Sequence, residues 1–150
     1  MKKPKLLFVS SSGGHLEQLL MLKPLMEKYD SKIVTEKTKF NKVGDYFVFQ
    51  TGHKDKFMIF KVFINLIYAF IIFIKERPTH IISTGAITVV PFAFIAKLFN
   101  VKIIFIETFA RTNDKTKTGE FMYKIADLFI VQWESLLEIY PDAVYGGSIY

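Results

Sequence analysis

Short runs of β-branched and aromatic residues recur along the chain, and each gives way to a polar or glycine-containing segment followed by residues of helical periodicity. Lys5–Ser10, Lys32–Thr35, Tyr46–Gln50, His80–Ser83, Lys102–Glu107, Leu128–Gln132 and Ala143–Tyr145 carry the strand pattern. Several are apolar on successive residues, as strands covered on both faces are. Between them, Leu16, Leu19, Leu20, Leu22, Leu25 and Met26 make one amphipathic stripe over His15–Tyr29. Phe57–Lys75 is a long apolar helix, Pro91–Phe99 a short one with proline in its first turn, and Glu120–Ala126 a fourth candidate. This alternation predicts an α/β fold: a Rossmann-like, doubly wound parallel sheet with helices on both faces. With 150 residues and no repeat, low-complexity tract or linker, residues 1–150 are expected to form a single domain.

On such a sheet, ligands bind at the carboxyl ends of the strands, near the reversal in strand order. The first strand ends in Ser10–His15, the fourth in Thr84-Gly85-Ala86, the fifth in Glu107-Thr108 with Arg111 beyond, and the sixth in Gln132-Trp133-Glu134. Polar and glycine residues thus follow apolar runs at four strand ends. In VSSSGGHLEQL, Gly13-Gly14 lets the backbone approach a ligand closely. The helix start beyond it offers free N–H groups to an anion, and Ser10, Ser11 and Ser12 add hydroxyl donors. The same stretch also reads as a tight turn with a capping serine. Neither the Gly-x-x-x-x-Gly-Lys-Ser/Thr nor the Gly-x-Gly-x-x-Gly spacing is present. Glu36 stands where a ribose-binding acid would, without the glycine spacing that goes with it. Glu107 and Arg111 are placed to form an ion pair or to converge on a phosphate or carboxylate. His53 and His80 read as structural, and the three histidines have no metal-ligand spacing, so neither metal nor cofactor is expected.

The segment Phe57–Arg77 raises a different question. Its apolar part, Phe57–Ile74, is about 27 Å long as a helix, marginal against a bilayer core of about 30 Å. Lys61 and Asn65 interrupt it, and it lies between two strands of one sheet, so spanning is disfavoured. Lys61, Asn65 and Tyr68 mark a narrow polar side, and Lys54, Lys56, Lys61, Lys75 and Arg77 surround the segment with positive charge. Such an element lies in a membrane interface or meets a protein partner. The composition agrees: 51% of residues are hydrophobic, sixteen are Phe, and the net charge is +6, which suits anionic lipid or phosphate ligands. The chain has no cysteine, hence no disulfide and no thiolate metal site, and its first apolar run is too short for a signal peptide.

SSSGGHLEQLL, STGA, IETFAR, Thr118-Gly119, ADLFIVQW and VYGGSIY, in that order, resemble the membrane-associated subunit of the two-part dolichol-linked N-acetylglucosamine transferase. The closer resemblance is to its bacterial relatives, the enhancer subunits of capsular and exopolysaccharide glycosyltransferases. The layout is also similar to the amino-terminal half of the peptidoglycan lipid-intermediate glycosyltransferase. The resemblance covers nearly all the chain and implies a half of the two-domain GT-B arrangement, the one that faces the membrane and a polyprenyl-diphosphate-linked sugar acceptor. A separate donor-binding subunit is then the expected partner, in a heterodimer or higher assembly, with no nucleic acid. Relative to the eukaryotic subunit the first strand begins almost at once, so anchoring is expected from Phe57–Ile74 or from the partner. The implied site comprises His15, either as candidate base or as a structural group with the base supplied by the partner, and Ser11, Ser12, Gly13, Gly14, Gly85, Glu107 and Arg111 for the acceptor and its diphosphate. Phe57, Phe60, Lys61, Phe63, Ile64, Ile67, Phe70, Ile71 and Lys75 are the expected membrane contacts, at the cytoplasmic face of the cell membrane, peripheral or monotopic. Two other classes fit the residues: a self-contained nucleotide- or dinucleotide-binding enzyme, and a non-catalytic membrane recruiter.

Overall fold

The computed structural model describes residues 3–52 and 54–150, so His53 lies outside the described residues. Strands β1 (Lys5–Ser10), β2 (Asp30–Glu36), β3 (Tyr46–Val48), β4 (His80–Gly85), β5 (Lys102–Ile106), β6 (Leu128–Val131) and β7 (Val144–Tyr145) form one sheet in the order β3-β2-β1-β4-β5-β6-β7. Every adjacent pair is parallel. The chain builds outward from β1 through β2 to β3, then returns to β1's other side and continues through β4. The reversal in strand order therefore lies between β1 and β4.

Helices cover both faces, which is why the strands read as continuous apolar runs. Leu6 and Phe8 of β1, with Ile82 and Ile106, pack on Leu16 and Leu19 of helix α1 (Gly14–Leu20). Leu7 and Val9 point the opposite way, as strand geometry requires, into the larger cluster with Ile81, Ile103 and Phe105. That cluster is closed by Ala69, Ile72 and Phe73 of α3 (Met58–Glu76), Phe92 and Ala96 of α4 (Val89–Leu98), and Met122 of α5 (Lys117–Ile125).

Two helical expectations are corrected. The His15–Tyr29 stripe is two helices, α1 and α2 (Lys23–Lys28), broken at Met21-Leu22. Pro24 in the first turn of α2 has no N–H to continue α1's ladder. Helix α5 begins at Lys117 rather than Glu120, because the Thr116 hydroxyl accepts a hydrogen bond from Gly119 N at 2.7 Å and caps it. A 3-10 turn at Glu134–Glu138 follows β6.

Helix α3 corrects the wheel drawn from the sequence. Of its supposed polar side, Lys61 and Asn65 face the protein, while Tyr68 is 40% exposed. Asn65 is fully buried, its side-chain nitrogen donating to Phe49 O and its oxygen accepting from Phe49 N, both at 2.9 Å. Lys61 is half-buried and paired with Asp55, and Ile64 is half-buried rather than outward. The outward side is apolar: Ile59 is 83% exposed, and Phe57, Phe60, Phe63, Ile67, Phe70, Ile71 and Ile74 are exposed with it. By length and composition the helix is long and apolar enough to cross a membrane. It ends at Arg77 in the left-handed conformation, immediately before Pro78.

Candidate functional site

The carboxyl ends of β1 and β4 meet at the strand-order reversal, where crevices form on this type of sheet. His15, in the first turn of α1, reaches across to β4. Its Nδ1–H donates to Thr84 O at 2.8 Å, and the Thr84 hydroxyl donates back to His15 O at 2.6 Å. Because a carbonyl only accepts, the neutral ring carries its proton on Nδ1. Nε2 keeps its lone pair and has no partner among the described residues. Gly85, at φ +100°, supplies the room: a Cβ there would lie 3.1 Å from the imidazole.

A cleft of about 900 Å³ opens at this point. His15 and Gly85 form one wall, and Glu107, Thr108, Arg111, Lys115 and Thr116 the other. Glu107 and Arg111 do not pair with each other. Glu107 is 1% exposed and turned inward, accepting from Thr108 N at 2.9 Å, from Tyr140 OH at 3.0 Å and from the Thr116 hydroxyl. Burial pushes its carboxyl above the ordinary range, and these donors only partly offset that. The same contact explains Thr118-Gly119: a Cβ at Gly119 would collide with the Glu107 carboxylate. Arg111 is exposed and pairs with Asp114.

The serines of the first loop also turn inward, against expectation. Ser10 is buried. Ala86 N donates to the Ser11 hydroxyl at 3.2 Å, and Ser11 lies 2.8 Å from the Thr88 hydroxyl, which donates to Glu36 at 2.7 Å. Ser12 donates to Glu36 from both its N–H (3.2 Å) and its hydroxyl (3.0 Å). Glu36 further accepts from Thr51 N at 3.1 Å and from its hydroxyl at 3.3 Å. Both carboxylate oxygens are thereby taken up in holding loops together, and the position is not free for a ribose. What the glycine turn leaves outward is Gly13 and Gly14. Both are exposed, with open space where a Cβ would stand, and neither N–H donates to another described residue.

A second hollow, of about 960 Å³, lies on the other side of this turn, between Ser12, Gly13, Leu16 and Leu20 and the β2–β3 loop at Lys37–Asn41. The expected site residues are therefore divided. His15, Gly85, Glu107 and Arg111 line the first hollow, Ser12 and Gly13 the second, and Ser11 lies buried behind them. Sequence reading missed the Lys37–Asn41 loop, although the spacing of Lys37, Lys39 and Lys42 around Phe40 was available as a signal.

One further set of buried polar residues ties the site together, and of its side chains Gln18 alone was not among the strand-end residues expected. Gln18 of α1 accepts from Phe109 N at 3.1 Å and donates to Thr108 Oγ1 at 3.2 Å. Gln132 donates to both Gln18 Oε1 and Glu107 O at 2.9 Å, and accepts from Ile149 N at 2.9 Å. The His15 helix, the Glu107–Arg111 loop and the last residues of the chain are thus held by two amides.

The family described as oligosaccharide biosynthesis protein Alg14 like matches residues 50–149. The chain is 39% identical to the UDP-N-acetylglucosamine transferase subunit ALG14 of Candida albicans over 57% of this chain and 42% of that protein. It is 24% identical to the subunit of the same name from Homo sapiens over 96% of this chain and 82% of that protein. The match thus spans less than half the length of the Candida albicans relative. Among solved structures, UDP-N-acetylglucosamine 2-epimerase from Rickettsia bellii superposes with a TM-score of 0.75 at 15% identity, covering 99% of this chain and 46% of that one. MurG of Acinetobacter baumannii gives 0.66 at 14% identity, covering 85% and 41%. At these identities the likeness is one of fold: a Rossmann-like sheet that makes up under half of each of those longer chains.

Proposed function

The chain belongs to the Alg14-like family of oligosaccharide biosynthesis proteins, and from that membership we propose that it is the acceptor-side, membrane-facing subunit of a two-component glycosyltransferase. Residues 1–150 act as one domain, and a separate subunit binds the nucleotide sugar. The observation that carries this reading is the crevice at the β1–β4 reversal, where an imidazole with a free Nε2 faces cationic side chains across a cleft open to solvent. The relatives' printed names support UDP-N-acetylglucosamine as the donor. The resemblance of the motifs supports a polyprenyl-diphosphate-linked sugar as acceptor.

The acceptor sugar enters the His15 cleft, with its diphosphate over the Gly13-Gly14 turn, where no Cβ obstructs it. Arg111 and Lys115 border the sugar side. As the acceptor hydroxyl oxygen attacks the anomeric carbon, Nε2 of His15 takes its proton, the anomeric C–O bond to the nucleotide breaks, and the nucleoside diphosphate leaves on the partner. Nδ1–H, held by Thr84 O, keeps the ring oriented for that transfer. The outward apolar face of α3, ringed by lysines, rests on the cytoplasmic face of the membrane. Capsular or exopolysaccharide assembly is the setting supported by the motifs.

A second reading has one observation in its favour. Ser11 and Ser12 face inward, as in a purely structural turn, so the chain would only recruit the donor-binding subunit to the membrane. Transfer assays separate the two. With UDP-N-acetylglucosamine and a polyprenyl-diphosphate sugar, each chain alone should be inactive and the reconstituted pair active. Robust turnover by this chain without a partner would overturn the division of labour, and a pair indifferent to changes at His15 and Gly14 would favour recruitment.

A further inference from the structure

We propose that the polyprenyl diphosphate leaves the glycine turn on the side away from His15, its phosphate met by Lys37 and Lys39 and its first isoprene units seated between β3 and α3. This rests on the reading above that the acceptor is lipid-linked, and it deepens that reading by assigning a place to the lipid.

The second hollow changes character along its length. Near the turn it offers Gly13 and the apolar side chains Leu16 and Leu20. Opposite stand Lys37 and Lys39, neither of which forms an ion pair among the described residues. Glu17 is the one carboxylate among the described lining residues, so two cations there face one anion. The lysines stand on ordered backbone: Asn41 donates to Glu36 O at 3.2 Å, Asn41 N to the Thr38 hydroxyl at 2.9 Å, and Lys37 N to Val48 O at 2.9 Å. Between them Phe40 is 93% exposed, an apolar side chain with nothing to cover it.

Lys37 also lines a smaller hollow, of about 260 Å³, whose other walls are Phe47, Val48, Phe49 and Tyr68. Lys37 is therefore common to the two hollows. The smaller one runs along the edge strand of the sheet to Tyr68 on α3, beside the exposed Ile67 and Ile71. From the turn outward the lining passes from open backbone to unpaired cations, then to aromatic rings, then to the apolar helix face. That order matches an amphiphile whose doubly anionic head is joined directly to a long hydrocarbon. Free phosphate would leave the aromatic half unused, and a nucleotide, whose base could stack on Phe49 or Tyr68, would leave the apolar face of α3 beyond them uncovered.

The test measures equilibrium binding of inorganic pyrophosphate, geranyl diphosphate and geranylgeranyl diphosphate to the full chain in detergent. Affinity should rise about tenfold or more from pyrophosphate to the twenty-carbon diphosphate, since each buried methylene contributes. Lys37→Gln with Lys39→Gln should weaken all three about tenfold. Phe49→Ser with Tyr68→Ser should flatten the dependence on chain length and leave pyrophosphate binding unchanged. Should that pair not fold, Tyr68→Gln, on a side chain already 40% exposed, should reduce the same dependence. A flat dependence in the wild-type chain, or lysine variants that bind as tightly as wild type, overturns the proposal. Transfer by the pair, measured in parallel, separates its failure from that of the proposed function: transfer without chain-length dependence removes the lipid track alone, and loss of both removes the lipid-linked acceptor.

Discussion

His15 and Glu107 face one cleft with opposite qualities. His15 offers an unshared lone pair, whereas Glu107 is enclosed by its own donors. In the reconstituted pair, His15→Ala should lower turnover by about 10²-fold or more without separating the subunits, if Nε2 is the base. A loss of only a few-fold would make it a positioning group. For Glu107 the folded carboxyl titrates above its unfolded value of about 4.3. The folded state therefore holds the proton more tightly. The resulting stability is fully present below the unfolded value and is lost as pH rises through the folded one. Urea midpoints of the wild type and Glu107→Gln, compared from pH 4 to 7, should show the wild type losing ground as pH rises; a constant difference would contradict the burial argument. The positions of His15 and Gly85 were legible in the sequence, because strand ends on a doubly wound sheet converge. The inward turn of Ser11, Ser12 and Glu107 was not. Strand periodicity gives the facing of residues within a strand, and these lie just beyond its last pair.

At the level of elements, α3 teaches the same lesson from the other side. Its length and apolar character were plain, but a wheel cannot say whether a polar stripe meets water or the backbone of a neighbour. Asn65 meets Phe49 N and O, substituting for part of a ladder that the short edge strand β3 does not continue. Asn65→Leu should therefore destabilise the protein by about 1–3 kcal/mol for each backbone group left unpaired. It should do so without altering membrane affinity, since the side chain never reaches the surface. Calorimetry with vesicle sedimentation of the folded variant checks both halves. The break between α1 and α2 was hidden for a related reason: leucines at Leu19, Leu20 and Leu22 keep the stripe continuous across a bend.

Across the whole molecule, the apolar face of α3 extends onto α4, where Phe99 lies 6.0 Å from both Phe70 and Phe73, and Phe94 and Leu98 are exposed. Lys75, Arg77 and Lys97 border it. Binding to anionic vesicles should accordingly be peripheral and weaken with salt, because exposed lysines are screened within about 10 Å at 0.1 M. Phe63→Ser, Ile67→Ser and Ile71→Ser together should leave a folded protein in the supernatant. Equal sedimentation of wild type and variant would reassign the face to a protein partner.

Glu36 receives donors from residues 12, 51 and 88, contributed by three different loops. The consequence concerns inheritance more than chemistry. The serine-glycine segment is not a portable cassette. Grafted into a related sheet that keeps the Glu36 carboxylate but lacks Thr51 and Thr88, it would bring Ser12 against a buried carboxylate short of donors. Laboratory recombination between relatives should therefore tolerate crossovers outside residues 12–88 far better than within them, and chimaeras that fail inside that interval should recover when Thr51 and Thr88 are restored together.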